Sequence, residues 1–148
     1  MKDIKQNQED ISSYSNFNEI IQKEVDIDVS LDFEKKQMLG KMDINYEILN
    51  PEISRIILDL KGPEIVSIEF IQKDEEGKDL NSIKLNYEIY LENKLKDSLG
   101  TPLIIYLENI KKNLESEYSK IIESKSLIIR IQFITTEKCG GIQFLTKE

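Results

Sequence analysis

The chain has 148 residues, 39% apolar and 32% charged, which is enough to bury a core without a disulfide or a metal. With 20 basic and 28 acidic residues the net charge is −8; this repels phosphate backbones and anionic surfaces, so neither nucleic acid nor a membrane is an expected partner. There is no histidine and one cysteine. These counts exclude histidine-dependent triads, a two-histidine zinc helix, a thiolate zinc cluster and an intramolecular disulfide within these residues.

Residues 1–9 are polar and are expected to be a disordered lead-in to a single all-β domain over 10–148. The first residues, Met1-Lys2-Asp3-Ile4-Lys5-Gln6, lack the apolar core of a secretory leader. No apolar run approaches the roughly 20 residues of a membrane span, so a cytoplasmic location is expected. Asp10 to Phe17 is rich in hydroxyl and amide side chains and reads as an irregular segment suited to local backbone hydrogen bonds.

A strand pattern then begins. Val25, Ile27, Val29 and Leu31 alternate with Asp26, Asp28, Ser30 and Asp32, which predicts a strand with one buried face and one wet face. Phe33 to Gln37 is polar enough for a turn. In the next run Met42, Ile44, Tyr46 and Ile48 share a face opposite Asp43, Asn45 and Glu47, so the two strands are expected to pair as an antiparallel hairpin.

Asn50-Pro51 ends that run. A third strand is expected over 54–60, where Ile57 lies opposite Ile56 and Leu58, so both faces are expected to be partly covered. A fourth carries Val66, Ile68 and Phe70, and Asp74 to Asp79 is a charged loop. Further strands follow at Ile83 to Ile89, Leu103 to Leu107, Leu127 to Phe133 and, after Gly140-Gly141, Ile142 to Leu145. Between the sixth and seventh, Ile110, Leu114, Tyr118, Ile121 and Ile122 recur at near-helical spacing. This predicts one short helix near 109–123 whose apolar stripe packs on the sheet. Short strands at regular intervals with turn signals predict a mainly β, layered antiparallel or mixed sandwich.

No residue qualifies as catalytic, cofactor-binding or metal-ligating. Cys139 has Lys138 beside it but no histidine base to activate it. Gly140-Gly141 is better explained as a turn than as a phosphate loop. Asp26 and Asp28 fall on the wet face, where carboxylates are normally solvated.

In order along the chain stand Ser12-Ser13-Tyr14-Ser15-Asn16, the alternating strand, Asp32-Phe33-Glu34-Lys35-Lys36 and Leu39-Gly40. Ile57-Leu58-Asp59-Leu60, Leu99-Gly100-Thr101-Pro102-Leu103, Ile131 to Thr136 and Gly141-Ile142-Gln143-Phe144-Leu145-Thr146 follow. Together these segments resemble the N-terminal domain of the zinc metallo-aminopeptidases of peptidase family M1, in the leukotriene A4 hydrolase and aminopeptidase B group. The resemblance implies a saddle-like β domain that braces a catalytic domain of the same polypeptide and walls one side of its substrate cleft. The parent would remove N-terminal residues from peptides, using zinc held by downstream residues to polarise the scissile carbonyl and activate water. It implies no cofactor within these 148 residues, a monomer, and contact with the catalytic domain at Gln143, Phe144 and Leu145. By alternation Gln143 is expected to point outward between inward-facing Ile142 and Phe144. A free-standing β-sandwich binding module is the alternative left open by the residues alone.

Overall fold

The computed structural model describes residues 12–90, 100–136, 139 and 144. Its frame is a long hairpin, β1 (Ile20–Asp32) and β2 (Gln37–Ile48), paired in antiparallel register from Ile20↔Ile48 to Asp32↔Gln37. Asp32 closes the turn by accepting the Lys35 amide at 2.9 Å. The chain continues through β3 (Arg55–Leu60), β4 (Glu64–Lys73), β5 (Asp79–Lys84), β6 (Asn86–Ile89) and β7 (Thr101–Tyr106). Helices α1 (Glu108–Asn113) and α2 (Tyr118–Ser124) precede β8 (Ser126–Ile134).

The strands form two antiparallel sheets, a five-stranded sheet ordered β1-β2-β8-β4-β5 and a three-stranded sheet ordered β3-β7-β6. The mainly β layered architecture expected from the alternation is therefore present. Ile44, Ile68, Phe70, Ile129 and Ile131 of the large sheet share one core with Ile56, Leu103 and Ile105 of the small one. Ile57 and Ile104, on the opposite face of the small sheet, are buried as well, as expected for a strand covered on both sides.

Two of the expected elements are divided in the structure. The single helix near 109–123 is two helices, interrupted over 114–117. Asn113 ends α1 with its side-chain amide on the Asn109 carbonyl at 2.7 Å, and such local bonding by Asn competes with helix continuation. The apolar stripe survives the break. Ile110 belongs to the core, and Leu114, Tyr118, Ile121 and Ile122 pack against it.

The strand expected over 83–89 is also divided. Leu85 is buried and its amide binds the Ile68 carbonyl at 2.9 Å. The segment before it pairs with β4, and the segment after it pairs with β7. Leu85 is thus a corner at which the chain leaves one sheet for the other. Alternation continues through such a corner, so the pattern alone reads as one strand.

Two local features carry strain or cost. Gly40 pairs with Phe133 across β2 and β8; a Cβ added at Gly40 would lie 2.2 Å from Phe133 Cζ. The ring occupies the space a side chain would take, as aromatics do over sheet glycines. Tyr46 is buried on the core face of β2, and its hydroxyl has no hydrogen-bond partner among the described residues. Burial pushes its phenol well above the ordinary tyrosine value. An unpaired buried hydroxyl carries a desolvation cost. Tyr46→Phe is therefore expected to raise the unfolding free energy by about 1 kcal/mol, read from the urea midpoint at constant slope.

Candidate docking face and the ion-pair network behind it

The large sheet presents two different faces along its length. On the face turned away from the small sheet, Asp43 of β2 sits opposite Arg130 of β8. The Arg130 guanidinium donates Nε to Asp43 Oδ1 at 2.6 Å and Nη2 to Asp43 Oδ2 at 2.7 Å. It also binds both carboxylate oxygens of Asp79 on β5. Lys73 Nζ of β4 adds a contact to Asp43 Oδ2 at 3.1 Å. Four strands are tied together by two carboxylates and two cations.

Arg130 hydrogen bonds, ahead of the opposing effect of burial, hold both carboxyls below the usual aspartate range. Those bonds raise the Arg130 guanidinium in turn. Fully neutralised carboxylates of this kind are not poised for acid–base work, which needs two groups with separated pKa values. The sequence reading missed this network. Its one signal was an arginine between Ile129 and Ile131, one of only two arginines in the chain.

On the face turned toward the small sheet, burial decays along the hairpin. Ile20, Ile44, Tyr46 and Ile48 are buried. Further out the cover ends, and Ile27 is 62% exposed, Val29 47% and Leu31 50%. This corrects the expected buried face of the first strand. The alternation is correct, but the small sheet and helices cover only the other end of the hairpin. Asp26 and Asp28 are exposed on the opposite face, as expected.

At the tip, Phe33 is 74% exposed and meets Phe144 edge-on, with ring centroids 6.2 Å apart and planes at 86°. Of the three residues expected to contact a catalytic domain, Phe144 is therefore half-buried beside the hairpin turn, outside any strand. Gln143 and Leu145 lie outside the described residues, as do the expected strand partner Ile142 and the expected lead-in at 1–9. Cys139 is half-buried, and its Sγ accepts the Thr136 amide at 3.3 Å.

The segment 12–16 proved more than a local turn. Ser13 Oγ donates to Asp59 Oδ2 at 2.6 Å, and the Tyr14 amide donates to Asp59 Oδ1 at 2.9 Å. Asn16 Nδ2 donates to the Arg55 carbonyl at 3.0 Å, and Asn16 Oδ1 accepts the Ile57 amide at 2.8 Å. The segment is fastened along β3 through the Arg55 carbonyl, the Ile57 amide and the Asp59 carboxylate.

No protein-family profile matches the sequence. The chain is 32% identical over 139 residues to leucine aminopeptidase 2-2 of Meyerozyma guilliermondii, a match that covers 93% of the chain and 17% of that protein. Its fold matches yeast leukotriene A4 hydrolase in complex with bestatin, with a TM-score of 0.64 and 21% identity, over 96% of this chain and 19% of that one. The native Saccharomyces cerevisiae enzyme gives a TM-score of 0.60 at 21% identity, over 87% and 17%. Together these matches support an N-terminal domain of a leukotriene A4 hydrolase-like M1 aminopeptidase.

The chain spans under a fifth of the length of each of these relatives. M1 aminopeptidases are zinc-dependent in general, but the described residues of this chain do not fit a zinc site. Histidine is absent from the whole sequence, and no group of three or more potential ligands converges among the described residues. The best-placed carboxylates, Asp43 and Asp79, are already occupied by Arg130. No helix among the described residues is long and apolar enough to cross a membrane.

Proposed function

We propose that this chain is the non-catalytic N-terminal domain of a zinc-dependent aminopeptidase, bracing the catalytic domain and walling one side of the substrate cleft. The carrying observation is the match to a leucine aminopeptidase over 93% of this chain but only 17% of the relative. A domain contributing that share supplies a wall more readily than a metal centre, and its lack of histidine fits that division of labour. Zinc and the residues that activate water would be held elsewhere in the polypeptide, and the enzyme would release N-terminal residues from peptides. The corner formed by Phe33 and Phe144 is the proposed contact with the catalytic domain, to which the resemblance adds the sequence neighbours Gln143 and Leu145. Two aromatic rings meeting at an exposed edge are the kind of anchor that interfaces favour.

Reading the coding sequence past Glu148 tests the proposal. A Gly-x-Met-Glu-Asn motif followed by His-Glu-x-x-His is expected downstream. A stop codon directly after Glu148 would sink it.

A further inference from the structure

The longest edge strand in the described structure is β1. It is 13 residues long, and among the described residues it is the edge of the five-stranded sheet, with β2 on one side only. An edge strand leaves alternate N–H and C=O groups unpaired, a template for another extended segment. Natural proteins usually blunt such an edge with lysine, proline, a bulge or short length. Here the devices are the irregularity between Gln22 and Glu24, Lys23 inside it, and the carboxylates Glu24, Asp26, Asp28 and Asp32, whose single sign repels a like-charged strand but not a cationic one. From Glu24 to Asp32 the strand is regular and carries no proline or lysine.

Its two faces differ in chemistry. Ile27, Val29 and Leu31 are the exposed apolar overhang described above. Glu24, Asp26 and Asp28 are exposed. Asp28 reaches Lys41 at 3.6 Å with both side chains well exposed, a pair worth little and easily exchanged.

A second copy of β1 added antiparallel would bring carboxylates against carboxylates, and like charges placed opposite one another are destabilising. A cationic segment would bring opposite charges there and cover the apolar row with its own alternate side chains. We propose that the β1 edge, from Glu24 to Asp32, accepts an extended segment in which cationic and apolar residues alternate, joining the sheet as a sixth strand. This stands on the exposure and charge of β1 and holds whether or not the chain serves an aminopeptidase.

The probe is a capped nonapeptide alternating lysine and valine, titrated into the full 148-residue chain by calorimetry. Two controls are its glutamate–valine counterpart and a lysine–valine peptide of equal composition with all lysines at one end. The alternating lysine peptide is expected to bind about tenfold tighter than either control, from two or three cross-strand charge pairs. The exposed double variant Asp26→Lys/Asp28→Lys should reverse the preference between the lysine and glutamate peptides, with an unchanged circular-dichroism spectrum. Equal binding of the two lysine peptides would mean charge attraction without strand addition and would overturn the proposal. So would absence of binding, or a dimer of the chain in sedimentation that the Asp26→Lys/Asp28→Lys variant leaves intact.

Discussion

Arg130→Ala is expected to lower the unfolding free energy by about 3 kcal/mol. The substitution leaves the Asp43 carboxylate, whose side chain is only 9% exposed, without its bidentate partner. Stranding a buried charge costs about 3–5 kcal/mol. Lys73 remains at 3.1 Å and keeps the loss at the lower end. Asp79 adds little to the cost, because its carboxylate is 43% exposed and water can replace the guanidinium.

The same network sets the acid limb of stability. Both carboxyls are held below their ordinary value in the folded state by their hydrogen bonds to Arg130, against the opposing effect of burial. Their contribution is therefore present above the unfolded-state value near pH 4 and is lost as pH falls through the depressed folded-state values. In Arg130→Ala the slope of stability against pH below about 4 should flatten. Urea denaturation followed by circular dichroism, at pH 7 and in steps down to pH 3, measures both effects. A variant within 0.5 kcal/mol of wild type, roughly the scatter of ordinary surface substitutions, would show that the network is ornamental.

Asn16→Ala is expected to cost about 2 kcal/mol. The side chain joins three parts of the molecule, with Nδ2 on Glu19 Oε2 at 2.8 Å and on the Arg55 carbonyl, and Oδ1 on the Ile57 amide. Ile57 is buried, so its amide would be left without an acceptor. An orphaned buried donor costs about 1–3 kcal/mol. Glu19 also receives Asn50 Nδ2 at 3.0 Å, so the start of the hairpin and the turn after it share this clamp. Hydrogen exchange should report the loss locally, with faster exchange at the Ile57 amide. Unchanged protection there would show that another group takes over the bond.

The sequence predicts the strands well because alternation is a local property. Met42, Ile44, Tyr46 and Ile48 share a face whatever lies above them. What lies above them is not local. Val25, Ile27, Val29 and Leu31 carry the same pattern, yet the last three are exposed because the small sheet stops short of them. Likewise Asp43 reads as one of several wet-face aspartates, and only the register Asp43↔Arg130 gives it a buried partner 87 residues away. Asn16 reads as turn chemistry and instead reaches 41 residues to Ile57. Charge balance and the absence of histidine were legible at once and bounded the chemistry. The candidate contact at 143–145 was legible only through resemblance, and of its residues the structure describes Phe144 alone.

As proposed, these residues support a catalytic domain and carry no chemistry of their own. The most direct measurement is hydrolysis of leucine para-nitroanilide by the purified 148-residue chain, with added zinc and again after chelation. A rate equal to the buffer blank is expected in both. Turnover that rises with protein concentration and disappears with the chelator would contradict it.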